Sequence, residues 1–126
     1  MADRVAEILQ CPGFRLIRTQ GGDSAKVPLA LFRRFPLNEG EAVDLAAYRR
    51  RLSGEEARLA LEQAARLLER RDRTERWMEG ELRRRGYTEP AARGAVESLV
   101  RLGYLNDRRY AENALARLGK SLGELQ

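Results

Sequence analysis

Residues 74–105 read TERWMEGELRRRGYTEPAARGAVESLVRLGYL, and this stretch contains the clearest helix start and stop signals of the chain. Thr74 is typical of a helix N-cap, and Gly86 is typical of the left-handed residue that ends a helix. A second helix is predicted to start near Thr88 and to end at Gly103. The stretch therefore predicts two short helices, each closed by a Gly-Tyr pair whose tyrosine packs back on the helix.

Apolar side chains recur at helical spacing along both helices, which predicts one buried face for each of them. These positions are Met78, Leu82, Ala92, Val96, Leu99 and Val100. Trp77 lies beside this face, and packing between helices is favoured for it over a role as an exposed anchor for a partner. Packing at helix junctions is likewise the interpretation we favour for the tyrosines, which are Tyr87, Tyr104 and Tyr110.

The flanking segments are also predicted to be helical. Ser53 and Glu56 have capping-box spacing, which predicts a helix that starts at Ser53 and ends near Arg71. Asn106 is expected to start a further helix. The apolar face of that helix is predicted at Tyr110 or Ala111, Ala114, Leu115 and Leu118.

The N-terminal segment, residues 1–52, has a different pattern. An apolar run at 14–19 is followed by a Gly-Gly-Asp-Ser turn and a return strand, which together predict a β-hairpin. Periodicity does not distinguish a strand from a short helix at residues 4–10. Short helices are expected at residues 28–35, after a proline, and at residues 44–51, after an aspartate N-cap.

The expected fold class is mainly α, with tandem short-helix repeats after a small β-hairpin region. Residues 1–52 would form the N-terminal β-hairpin and short-helix region. Residues 53–105 would form a three-helix repeat, and residues 106–126 the start of an incomplete second repeat. Helices this short cannot bury their apolar faces alone, so each must pack on its neighbours. At 126 residues the chain is long enough to fold around such a core without disulfides.

The composition excludes several kinds of chemistry. No histidine is present, which removes imidazole general bases and histidine metal ligands. The single cysteine, Cys11, allows neither an internal disulfide nor a thiolate metal cage. No apolar run approaches the length of a membrane span, and the start lacks a signal-peptide pattern. We therefore expect a cytoplasmic, non-membrane protein without catalytic residues, metal or cofactor.

Arginine supplies most of the positive charge. The chain has 24 Lys and Arg residues against 19 Asp and Glu, a net charge of +5, and only Lys26 and Lys120 are lysines. Guanidinium groups match phosphate and carboxylate geometry, which indicates a nucleic-acid backbone or an acidic protein surface as partner. For any single arginine, pairing with a neighbouring glutamate on a solvated face is the competing interpretation. The candidate binding residues are Arg70, Arg71, Arg73, Arg76, Arg83, Arg84, Arg85, Arg101, Arg108 and Arg109.

Two segments carry a resemblance to a known family. Residues 67–87, with the basic entry RDRT and the ending RGY, are similar to the first three-helix repeat of the RecX regulatory proteins. Residues 102–111, LGYLNDRRYA, are similar to the LGYLDDxRFA segment of that family. Residues 37–44 also match its LxxGExVD pattern. The resemblance covers roughly residues 5–118 and stops before the C-terminal end of the family's usual repeats.

The resemblance implies a non-enzymatic regulator that binds RecA recombinase filaments and restrains or modulates them in recombination and DNA repair. Its arginine clusters would contact an acidic surface of the filament, or the single- or double-stranded DNA within it. The alternative is an autonomous basic helical module that binds nucleic acid directly. The modest net charge slightly favours the protein partner.

Overall fold

A computed structural model describes residues 3–124. Three strands, one short helix and a fourth strand come first, and four longer helices follow. The strands are β1 (Asp3–Cys11), β2 (Phe14–Thr19), β3 (Ser24–Pro28) and β4 (Ala42–Val43). The helices are α1 (Leu29–Arg34), α2 (Leu45–Arg70), α3 (Glu75–Arg84), α4 (Glu89–Arg101) and α5 (Asp107–Glu124). The prediction of a mainly α fold with a small N-terminal β region is confirmed.

The four strands form one antiparallel sheet in the order β3-β2-β1-β4. The predicted hairpin is its β2–β3 pair, in which Ile17 faces Ala25. Residues 4–10 lie in β1, so they form a strand and not a helix. Val5 and Ile17 are both buried in the core. Their burial explains why the apolar runs pair into a sheet with one face in the core.

The helix start predicted at Ser53 is wrong, because α2 runs from Leu45 to Arg70 without a break. The Ser53 hydroxyl donates to the carbonyl of Arg50 at 2.7 Å, within the helix. Leu52 and Glu56 lie one turn apart on the buried face of α2, and their packing holds the helix straight through this point. The predicted boundary between residues 52 and 53 thus falls inside a helix.

The start and end of α3 are as the sequence predicts. The Thr74 hydroxyl accepts a hydrogen bond from the backbone N–H of Trp77 at 3.1 Å. Gly86 has φ +96°, and its N–H donates to the Arg83 carbonyl at 3.0 Å. The N–H of Tyr87 then donates to a carbonyl one turn back in the helix at 3.1 Å. This pair of bonds is a Schellman motif, and the Tyr87 side chain is buried as predicted.

Helix α4 ends with the same backbone motif but a different side-chain arrangement. Gly103 has φ +81°, and its N–H donates to the Val100 carbonyl at 3.0 Å. Tyr104, however, is 65% exposed, so the junction packing predicted for it is wrong. Leu105 is only 2% exposed and occupies the core position at this junction, which leaves the tyrosine facing solvent.

Helix α5 begins where the sequence predicts. The Asn106 side chain accepts a hydrogen bond from the Arg109 N–H at 3.0 Å. The start of α5 is joined to the start of α3 by Asp107, whose carboxylate accepts the Glu75 N–H at 2.8 Å. Further along, the predicted apolar face lies on the surface, with Leu115 and Leu118 68% and 57% exposed.

Replacement of Thr74 by alanine tests the α3 cap. We expect Thr74→Ala to lower the free energy of unfolding by about 1 kcal/mol, because the Trp77 N–H loses its acceptor. Thr88 is a matched control, since it occupies the N-cap position of α4 without a side-chain capping bond. Thr88→Ala should change stability by only a few tenths of a kcal/mol. Urea denaturation monitored by circular dichroism measures both, and equal losses would contradict the assignment.

Candidate partner-binding surface

The ten candidate arginines fall into two groups according to their contacts. Five of them have neither a carboxylate within 4 Å nor a hydrogen bond to a backbone carbonyl among the residues that the structure describes; they are Arg70, Arg71, Arg73, Arg76 and Arg101. The others are held by intramolecular partners. The unpaired group is therefore better suited to contact another molecule.

Four of the unpaired arginines lie together where α2 turns into α3. We name this surface the basic corner and define it as Arg70, Arg71, Arg73 and Arg76. The loop that joins α2 to α3 is held in place by two hydrogen bonds with residues of α5. The Asn113 amide donates to Asp72 at 2.9 Å, and Asp107 accepts the Glu75 N–H. These bonds use carboxylate oxygens that would otherwise be available to the arginines, so the corner keeps its positive charge on a fixed backbone.

An arginine–tryptophan stack lies at the centre of the basic corner. The Arg73 guanidinium carbon is 3.9 Å from the centre of the Trp77 ring, a cation–π arrangement. The Arg73 Nε is buried without a hydrogen-bond partner within the described residues. Trp77 is partly buried and packs against the core, as the structural interpretation of this residue predicts. Arg76 lies beside the ring, on the exposed side of α3.

The remaining candidates take part in contacts within the chain. Arg83 pairs with Glu89 at 3.6 Å, and Arg108 pairs with Glu112 at 3.2 Å. Arg109 donates to the Gly103 and Tyr104 carbonyls at 3.2 and 3.0 Å, which caps the C-terminus of α4. Arg84 and Arg85 both bind one carboxylate, that of Glu81. Arg101, in the unpaired group, lies at the end of α4 and outside the basic corner.

Glu81 is a buried carboxylate between two guanidinium groups. Its side chain is 7% exposed, and the Arg85 Nε donates to it at 2.9 Å. Burial raises the pKa of this carboxyl, but the hydrogen bonds and charges of Arg85 and Arg84 outweigh that effect and leave its pKa below the usual 4.5. This role of Glu81 was not predicted from the sequence. The available signal was an acidic residue one turn before two arginines, next to the buried Leu82.

The lowered pKa of Glu81 predicts how stability depends on pH. The stabilisation is complete above the unfolded-state pKa near 4.5 and is lost as the pH falls through the lower folded-state pKa. Glu81→Gln should therefore cost about 1–2 kcal/mol at pH 7, and less as the pH approaches 3. Glu97→Gln, at an exposed carboxylate on α4, is the control and should change little. Urea denaturation across this range checks the prediction, and a difference independent of pH would contradict it.

The described part of the chain carries neither a metal-binding cluster nor a membrane-spanning helix. No group of three or more histidine, cysteine, aspartate or glutamate side chains among those that the structure describes, in residues 3–120, is arranged to hold a metal ion. No helix within these residues is long and apolar enough to cross a membrane.

The fold and the surface together define a class of protein: a helical module behind a small antiparallel sheet, with an unpaired basic corner. Residues 60–99 match the family model for the first three-helix domain of RecX. The matched residues include the C-terminal part of α2, all of α3 and most of α4. The resemblance found in the sequence is therefore confirmed as a similarity of these residues to the RecX regulatory proteins.

The fold is similar to that of a solved structure described as the regulatory protein RecX. The similarity has a TM-score of 0.51 at 17% sequence identity and covers 92% of this chain. The chain spans 58% of the length of that protein. No curated protein matches the sequence.

Proposed function

We propose that this chain is a non-enzymatic, cytoplasmic regulator that binds RecA recombinase filaments and inhibits or modulates them in recombination and DNA repair. The observation that carries the proposal is the match of residues 60–99 to the first three-helix domain of RecX. The similar fold over 92% of the chain supports it. A protein of this kind needs no active site, because a binder shifts the balance between filament states through its difference in affinity for them.

The basic corner is the surface that we assign to the filament. Its four arginines have no carboxylate partners among the described residues, so binding would not first have to break ion pairs. Guanidinium groups form paired hydrogen bonds with either carboxylates of the filament protein or phosphates of its DNA. The bonds of Asp72 and Asp107 keep the backbone of the corner in place, which limits the entropy lost on binding.

The experiment that tests this function is the single-stranded-DNA-dependent ATP hydrolysis of RecA, measured with increasing amounts of the chain. We expect the rate to fall when the chain is present at well below one molecule per recombinase protomer. Suppression at that ratio is the mark of an effect on the filament, since capture of free subunits would require a stoichiometric amount. An unchanged rate at an excess of the chain would contradict the proposal.

The basic corner also supports a second candidate, direct binding of nucleic acid without a filament. Four unpaired arginines around a partly buried tryptophan suit a phosphate backbone as well as an acidic protein. This function predicts binding to a labelled single-stranded oligonucleotide in the absence of recombinase. The affinity would fall steeply as salt is added, because bound counterions are released from the DNA.

A further inference from the structure

A groove separates the edge of the sheet from the helices, on a surface to which none of the arginines of the basic corner contributes. It lies between β3, the middle of α2 and the start of α4, and its volume is about 780 Å³. Buried apolar side chains form its floor; they are Val27, Leu31, Leu52, Tyr87 and Ala91. Burial raises the pKa of the Tyr87 phenol to about 12, so this tyrosine stays uncharged at neutral pH.

One wall of the groove is the outer edge of a β-strand. β3 is the last strand of the sheet and pairs on one side only, with β2. In this antiparallel pair the Thr19 N–H donates to the Asp23 carbonyl, and the Leu29 N–H donates to the Gly13 carbonyl. Because backbone direction alternates along a strand, the N–H and C=O groups of Lys26 point away from β2 and toward the groove.

A partner strand can reach this edge at Lys26, because the backbone groups of the neighbouring outward-facing residues, Ser24 and Pro28, cannot pair with it. Ser24 has its carbonyl occupied by the Arg49 guanidinium, at 2.9 Å. Pro28 has no N–H to donate. Gly86 also lies close to the Pro28 nitrogen, since a Cβ added to Gly86 would be 3.1 Å from that atom. An extended segment can therefore pair with the edge at Lys26 and then continue along the groove.

The rim of the groove is positively charged. Three exposed cationic side chains line it, and each also has a contact within the chain: the Lys26 ammonium lies over the Phe14 ring at 4.2 Å, Arg49 donates to the Ser24 carbonyl, and Arg83 pairs with Glu89 at 3.6 Å. Glu56 is the carboxylate among the lining residues, and it is only 9% exposed and accepts the Thr88 N–H at 2.7 Å. The outer part of the groove thus offers cations above an apolar floor.

We propose that this groove binds an extended acidic segment of a partner protein. Its backbone would pair with Lys26, its apolar side chains would lie on the floor, and its carboxylates would contact Arg49, Arg83 and the Lys26 ammonium. An extended strand presents alternate side chains in opposite directions, which fits a wall of cations opposite an apolar floor. The inference goes beyond the proposed function, because the groove and the basic corner share no residue.

The probe is a fluorescein-labelled peptide in which glutamate and valine alternate, and fluorescence anisotropy measures its binding to the full chain. We expect saturable binding. A peptide of the same composition with its glutamates in one block, and a peptide with lysine in place of glutamate, should each bind at least about tenfold more weakly. N-methylation of the backbone should also weaken binding, because it removes the donors that pair with Lys26.

Two variants locate the binding site, each with a control on the same helix. Arg49→Glu should weaken binding about tenfold or more, whereas Arg50→Glu, at the exposed neighbouring residue outside the groove, should not. Ala57→Trp fills the groove from an exposed position and should also block the peptide, whereas Ala46→Trp, exposed outside the groove, should not. Circular dichroism identifies any variant that fails to fold.

Four outcomes would overturn the proposal. They are no saturable binding up to about 1 mM peptide, equal binding of the lysine peptide, equal losses in each variant and its control, and displacement of the peptide by a single-stranded oligonucleotide. The last outcome would make the groove a nucleic-acid site. None of these measurements involves recombinase, so failure here leaves the proposed function to be judged by its own experiment.

Discussion

Gly86→Ala is expected to lower the free energy of unfolding by about 3 kcal/mol, more than any other single substitution considered above. Gly86 has φ +96°, a conformation that costs a residue with a Cβ about 1–2 kcal/mol. An added Cβ would also lie 3.1 Å from the Pro28 nitrogen and 3.3 Å from the Phe14 Cβ. These neighbours belong to β3 and β2, whose pairing restricts their movement, so the crowding adds a further cost.

Gly103→Ala is the matched control for this prediction. Gly103 ends α4 with φ +81° and the same pair of backbone hydrogen bonds, but an added Cβ would meet nothing within 4 Å. We expect this variant to lose about 1 kcal/mol, the cost of the backbone conformation alone. Urea denaturation of both variants measures the difference. Equal losses would show that the contact between Gly86 and the sheet adds nothing to the cost of the left-handed conformation.

The second large effect is expected from removal of the basic corner. A variant with alanine at Arg70, Arg71, Arg73 and Arg76 should require at least about tenfold more protein for half-maximal suppression of RecA ATP hydrolysis, a loss of about 1.4 kcal/mol of binding free energy. The reason is that these guanidinium groups have no carboxylate partners among the described residues, so their loss removes intermolecular contacts in preference to intramolecular ones.

A control with the same loss of four positive charges separates local contacts from net charge. Alanine at Arg18, Arg33, Arg50 and Arg58 removes exposed arginines that lie outside the basic corner. This variant should keep most of the suppression. If both variants lose activity equally, the effect comes from overall charge, and the assignment of the corner is wrong. Because Arg73 stacks on Trp77, the tryptophan fluorescence of the corner variant should also change.

The helix ends show how far local sequence reaches. Thr74, Gly86 and Asn106 all act at the ends predicted for them, because a cap requires only a side chain or a left-handed residue next to the helix that it ends. The capping-box pattern at Ser53 shows the limit of this reasoning. There the same local signal is overridden by the burial of Leu52 and Glu56 against elements distant in the chain.

The candidate surface was predictable as a set of arginines but not as a site. Among the ten candidates, sequence spacing did not separate Arg76, which is unpaired, from Arg85, which binds the buried carboxylate of Glu81. The groove at β3 gave no sequence signal at all, because its walls come from three segments that only the folded chain brings together.

Local sequence accounts for the helical class, for the ends of α3 and α4 and for the resemblance to the RecX family, because capping bonds and left-handed glycines are local properties. Only the tertiary structure decided that Tyr87 is buried and Tyr104 exposed after identical Gly-Tyr helix ends, and which arginines remain unpaired. The physical reason is that burial and ion pairing depend on which distant side chains arrive at a position. The same backbone motif faces the sheet at Gly86 and open space at Gly103.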